Sequence, residues 1–207
     1  MFSRALVLLS SIALAACSVV GVRGTEEPLH HVITRLGDLE IREYAPCLVA
    51  ETLVEAEETA ARNEGFRRLA GYIFGGNRGE RRIAMTAPVA QEPSRIAMTA
   101  PVAQEPSGQG FRIRFFLPAS FTAETAPVPN DARVVITAIP AETFAVLRFS
   151  GTTAPEAVAR NAAILRGMLA ASPWRPLGEP VAWFYDPPWT LPPLRRNEVA
   201  IRVTPAA

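Results

Sequence analysis

The chain predicts an α+β domain: a distorted, largely antiparallel eight-stranded barrel or sheet with two helices, built from a ββαββ unit used twice with internal pseudo-twofold symmetry. Three observations predict it. Short runs of alternating apolar residues recur along the chain, two longer stretches carry apolar residues at helical spacing, and 19 prolines with 13 glycines punctuate the rest. So many breakers exclude a helical bundle, and the absence of regular strand-helix alternation excludes a doubly wound parallel sheet.

Each element follows in order. "HVITRLGDLEIREY" reads as one strand run, with alternation at Leu39 and Ile41, and "CLVAETLVEA" as a second, with alternation at Leu48, Ala50, Thr52 and Val54. Ala45 and Pro46 separate them. In "EETAARNEGFRRLAGYIFGGN" the residues Ala61, Phe66, Leu69, Ala70 and Ile73 recur at helical spacing, and Gly75, Gly76 and Asn77 supply the stop. "FRIRFFLPA" alternates Phe111, Ile113 and Phe115 with arginines, the pattern of a half-buried strand. The second half repeats that order in "ARVVITAIP", "TFAVLRFSG", a helix through "APEAVARNAAILRGMLAAS", then "PVAWFYDPP" and "NEVAIRVTP". The two helices share the letters Ala61, Arg62, Asn63 and Ala159, Arg160, Asn161, at an offset of 98.

Between the first helix and "FRIRFFLPA" stands "RIAMTAPVAQEPS", written at 82–94 and again, letter for letter, at 95–107. Each copy has its own pair of prolines, which argues against one long continuous strand. The simplest expectation puts copy one in the sheet and makes 95–107 a loop insertion, at a hairpin end already rich in Gly, Pro and Ser.

The N-terminus reads as an address. "MFSRALVLLSSIALAACSVVG" has Arg4, an apolar run and small residues before a cysteine, the layout of a cleaved secretory signal, and is too short for a membrane span. Leu14, Ala15, Ala16 and Cys17 resemble the lipobox of bacterial lipoproteins. The expected organisation is a signal peptide at 1–16, lipidation of Cys17, a tether at 17–29 and one domain at 30–207. Ser18 follows the cysteine in place of the aspartate that resembles an inner-membrane retention signal, so the expected location is the bacterial envelope, on the outer membrane facing the periplasm. A plain cleaved signal with an incidental Cys17 is the alternative. With Cys17 acylated, Cys47 is the only thiol left and no intramolecular disulfide is expected.

The formal charge of +1 gives no electrostatic case for a nucleic-acid partner. All 21 basic residues are arginine, so lysine Schiff-base chemistry is excluded, while forked guanidinium donors for carboxylates are plentiful. Metal-cluster spacing, glycine-rich phosphate fingerprints and a serine nucleophile elbow are all missing from the sequence.

"LEIREYAP", "IAMTAPV" and "FYDPPWTLPPLRRNEVAIRV" together resemble the SOUL haem-binding protein family, over roughly residues 30 to 204. The resemblance implies a twice-used unit folded as a distorted antiparallel barrel, and non-covalent binding of haem or another tetrapyrrole in an apolar groove beside the first helix. Such a ligand needs apolar contacts for its faces and cations for its propionates. The candidate residues are Arg62, Phe66, Leu69 and Ile73 on the first helix, Met85 and Met98 in the doubled phrase, and Arg195 and Arg196 in "LPPLRRNEV". The two arginines could equally pair with Glu198 or with carbonyls and fix their loop.

The axial ligand stays open. Some relatives carry histidine just before the tyrosine of "LEIREY", where Glu43 stands here. His30 and His31 precede it as linker residues, and Met85 or Met98, Tyr44, Cys47 and Tyr72 are further ligand candidates, each with a structural alternative. Tyr185 and Asp186 are expected to shape a turn, and Trp183, Phe184 and Trp189 to fill the core or cover the loop. The expected function is a non-catalytic, envelope-anchored haem or tetrapyrrole binder, for carriage, buffering or sensing. The alternatives are an envelope protein-interaction module with a vestigial pocket and a tetrapyrrole-modifying enzyme.

Overall fold

Ten strands form one sheet in the computed structural model, which describes residues 24–79, 81–95 and 109–206. The signal peptide, Cys17, Met98 and copy two beyond Arg95 lie outside the described residues. In chain order the elements are β1 (His30–Leu36), β2 (Leu39–Tyr44), β3 (Cys47–Val54), α1 (Glu58–Ile73), β4 (Val89–Arg95), β5 (Gln109–Phe116), β6 (Val135–Ile139), β7 (Glu142–Phe149), α2 (Pro155–Ala170), β8 (Trp174–Pro176), β9 (Val181–Phe184) and β10 (Asn197–Pro205). The α+β class and the antiparallel pairing are as expected.

Ten strands replace the expected eight for two local reasons. Gly37 takes a positive φ of 63°, so the first run folds back on itself as the β1–β2 hairpin. Trp174–Pro176, which lies between the second helix and the "PVAWFYDPP" run, adds as β8 beside the end of β10.

Nine strands run β1-β2-β7-β10-β9-β4-β5-β3-β6, with β8 off that row. Exchanging β2 with β6, β7 with β3, β10 with β5 and β9 with β4 maps the row from β2 to β6 onto itself in reverse. The helices follow the same exchange: α1 packs on β3 and β5, and α2 on β7 and β10.

The period-two side-chain alternation divides the sheet into two faces. On one face Leu39, Ile41, Ala145, Leu147, Val199 and Ile201 meet Leu165 and Leu169 of α2. Ala50, Ile113 and Phe115 meet Leu69, Tyr72 and Ile73 of α1. Each fully buried leucine or isoleucine there contributes roughly 1.5–3 kcal/mol as an upper figure. On the face away from the helices a third cluster gathers Ala90, Phe144, Val146, Val181, Trp183 and Tyr185.

α1 ends where its sequence signals a stop: Gly75 has φ 118°, and the Asn77 amide donates to the Tyr72 carbonyl at 2.8 Å. α2 begins with Pro155 in its first turn after an extended Ala154. Glu26 and Glu27, expected in the tether, are instead docked on the domain. The Glu26 carbonyl accepts from the Ala87 amide at 3.0 Å, and the Glu27 carboxylate from Arg196 at 2.9 Å.

Copy one of the doubled phrase supplies β4 as far as Ser94, with Arg95 from the start of copy two, and the strand pairs with β9 on one side and β5 on the other. Ser94 faces Gly110 across the β4–β5 ladder. Deleting 95–107 joins Ser94 to Gly108, so Gly108 and Gln109 become a two-residue loop between already paired residues, with glycine where a type II′ hairpin wants it. Deleting 82–94 instead produces the same chain, because the copies are identical. The shortened protein is expected to melt within about 0.5 kcal/mol of the parent in thermal denaturation. A loss of several kcal/mol would show that 95–107 contributes to the fold.

Candidate functional site

α1 presents Arg62 toward the start of β4 and the end of β9. Its guanidinium donates to the Thr153 carbonyl at 3.0 Å and to Gln91 Oε1 at 3.5 Å, and stacks over the Phe184 ring at 4.8 Å. Gln91 in turn donates to the Glu58 carbonyl at 2.8 Å and ties the first turn of α1 to β4. Burial lowers the Arg62 pKa, against the opposing charge of Glu58. The group remains a cation at neutral pH, since arginine starts far above that range.

One turn later Phe66 is 40% exposed, with its ring set edge-on to Phe115 at 5.3 Å. Ala61, Leu69 and Ile73 of the apolar stripe are buried together with Gly65 and Tyr72, and Phe66 sits at the margin. Leu69 and Ile73 are fully inside the core between α1 and the sheet. Met85 is exposed on the approach to β4. Of the eight expected site residues, Arg62, Phe66 and Met85 thus present accessible or half-buried surface, Leu69 and Ile73 support α1 from within, and Met98 lies outside the described residues.

Arg195 and Arg196 brace the β9–β10 loop. Arg195 donates to the carbonyls of Thr190 at 2.8 Å and Pro188 at 2.6 Å. Arg196 donates to Glu198 at 3.0 Å and to Glu27 at 2.9 Å, and its guanidinium lies 3.8 Å from the centre of the Tyr185 ring. These are the loop-fixing partners anticipated as the alternative to ligand contact. Trp183 and Phe184 are buried as expected, whereas Trp189 is exposed on the loop.

The sequence reading anticipated one leg of a buried charge network on the helix-free face, Arg196 with Glu198, and missed the rest. Glu198 is fully buried and accepts from Arg42 at 2.9 and 3.2 Å, from Arg196 at 3.0 Å and from the Tyr185 hydroxyl at 2.7 Å. Arg42 also donates to Tyr44 at 3.2 Å and to Glu40 at 2.7 Å. Burial alone would raise the Glu198 carboxyl; the hydrogen bonds and charge of Arg42, with Arg196 and Tyr185, outweigh it and hold the group below its usual value. Burial pushes the Tyr44 phenol up to about 12, and Tyr185 rises for the same reason. The signal was present in the alternation. Leu39 and Ile41 facing the helices send Arg42 and Tyr44 to the other face, and Val199 and Ile201 do the same for Glu198. Tyr185, expected in a turn, therefore serves chiefly as a buried donor to this carboxylate.

The remaining ligand candidates have partners or are enclosed. His30 Nδ1 lies 3.1 Å from the Pro28 carbonyl, and His31 Nε2 lies 3.2 Å from Glu43. Tyr72 donates to the Pro127 carbonyl at 2.8 Å inside the core. Cys47 is half-buried, and burial raises its thiol to about 11. Among the described residues no three His, Cys, Asp or Glu side chains cluster as metal ligands.

The fold defines the class first: an α+β domain on a curled antiparallel sheet with two helices on one face. The family model "SOUL heme-binding protein" matches residues 25–202, and the chain belongs to that family. No curated protein matches it. Among solved structures the chain is similar to the C-terminal domain of EcmrR, with TM-score 0.58 and 14% identity over 86% of this chain and 99% of that one. It is also similar to a hydrolase from Listeria innocua, with TM-score 0.54 and 10% identity over 83% and 94% of the respective chains. At those identities the likeness is one of fold.

Proposed function

We propose that this protein is a non-catalytic binding protein for haem or a related tetrapyrrole, anchored in the bacterial envelope through Cys17 and facing the periplasm. The family match over residues 25–202 carries the reading. The residues on the α1 side fit the chemistry: Phe66 and Met85 offer exposed apolar surface, and Arg62 a half-buried cation for a propionate. Bound haem would supply a redox-active iron; this chain would supply apolar contact, charge and exclusion of water. The signal at 1–16, the acylated Cys17 and a tether from there to the docked Glu26 form the expected anchor. The mirrored strand order supports the reading of the domain as one ββαββ unit used twice.

Titration of residues 18–207 with haem, followed at the Soret band, tests the function. Saturable one-to-one binding at micromolar affinity or tighter, about 8 kcal/mol, is expected. Arg62→Ala is expected to weaken it about tenfold, the scale of one charge-assisted hydrogen bond. Nonsaturating binding, or an affinity indifferent to Arg62, would remove the haem reading or this site.

A further inference from the structure

On the face away from the helices a cleft of about 380 Å³ opens over the third core cluster. Tyr44 of β2 and Ile139 of β6 both line it, although those strands stand near opposite ends of the row, so the curl of the sheet closes the cleft. The rings of Tyr44, Phe144 and Trp183 meet edge to face at 5.2 to 5.8 Å and form an aromatic wall.

Three guanidiniums border the opening, and they differ in how far their donors are used. Arg114 donates to Glu51 at 2.8 Å and to Glu92 at 3.0 Å, and Arg202 to Glu142 at 3.0 Å. Among the described residues Arg112 has only Glu51 within ion-pair range, at 3.9 Å. Its Nε is the one buried side-chain polar atom without a hydrogen bond among the described residues. Natural folds leave few such atoms. An apolar aromatic wall beside an under-used forked donor fits a flat ring system that carries one acid group.

We propose that this cleft is a second ligand site, distinct from the α1 side, that takes a small flat aromatic acid with its rings against Phe144 and Trp183 and its acid group on Arg112. The two sites lie on opposite faces of the sheet: Gln91, beside Arg62, and Glu92, beside the cleft, are consecutive residues of β4. This site therefore does not depend on the tetrapyrrole reading.

The test uses anilinonaphthalene sulfonate, an aromatic acid built on a flat naphthalene ring whose fluorescence rises in apolar surroundings, titrated into the purified full-length protein with and without saturating haem. Saturable one-to-one binding is expected, about tenfold weaker in Arg112→Gln and unchanged in Arg62→Ala. Haem affinity should show the reverse pattern. Ala90→Leu, which narrows the cleft floor, should also weaken the probe, with thermal melting used to confirm that each variant folds. Failure of haem to bind while the probe binds through Arg112 would overturn the tetrapyrrole reading and leave this site standing. The cleft proposal is overturned if the probe does not saturate, if folded Arg112→Gln leaves its affinity unchanged, or if haem displaces it one for one.

Discussion

Glu198→Ala is expected to lower the stability of the fold by about 3–5 kcal/mol, because it leaves a buried guanidinium without its acceptor. Arg42 has almost no solvent contact on its side chain, and both of its terminal nitrogens are committed to Glu198. The Tyr185 hydroxyl and one arm of Arg196 lose their acceptor in the same step. At roughly 2–4 °C per kcal/mol for a chain of this size, the melting temperature should fall by about 10 °C. A change within about 1 kcal/mol would mean that water replaces the carboxylate at no cost, and that the network is peripheral to stability. The pH dependence gives an independent reading. The folded-state pKa of Glu198 is depressed, so its contribution is present above the unfolded carboxylate value of 4.5 and is lost as pH falls through the depressed value. Glu198→Gln should flatten that acid limb and keep the side-chain volume.

Gly65→Ala is expected to destabilise the protein by about 1–3 kcal/mol, although alanine is the better helix former by about 1 kcal/mol. A Cβ at Gly65 would sit 2.7 Å from Ile113 Cβ, well inside contact distance, and Ile113 is fully buried in β5. Either Ile113 leaves its packing or α1 lifts off the sheet. Lifting α1 also strains the Gln91–Glu58 tie and the Arg62 contacts with Thr153 and Phe184, so haem affinity should fall with stability. Chemical denaturation and haem titration of the one variant check both effects. A more stable variant would show that Ile113 yields freely and that the close approach is incidental.

Most of the fold was legible because its signals are local. Leu39 and Ile41, or Val199 and Ile201, announce which face of their strand is covered, and Gly75 and Asn77 announce the end of α1. Gly37 gave a weaker signal: one glycine inside an alternating run does not show whether the strand bends or reverses, and here it reverses. Helical spacing grouped Phe66 with Leu69 and Ile73 without showing which of them lies at the margin, because the seat of α1 is set by the approach of Gly65 to Ile113, 48 residues away. The Glu198 network was hidden for the same reason. Arg42 and Glu198 are 156 residues apart, and only the β2-β7-β10 order brings them together. For Arg195 and Arg196 the partner types, carbonyls and Glu198, were legible because they lie nearby in the chain, whereas Glu27, 169 residues from Arg196, was not.

The seat that β4 occupies carries a consequence for genetics. Every letter that copy one places between β9 and β5 is written again thirteen residues later, so the seat specifies a phrase and not an address in the chain. A chain damaged in copy one still holds an intact spare. Substitutions scanned one at a time through 82–94 therefore measure the difference between the damaged occupant and its understudy, which has an upper limit set by the cost of seating copy two in place of copy one. Only matched changes in both copies, or the same changes in the shortened chain with a single copy, read the full worth of a side chain in that strand.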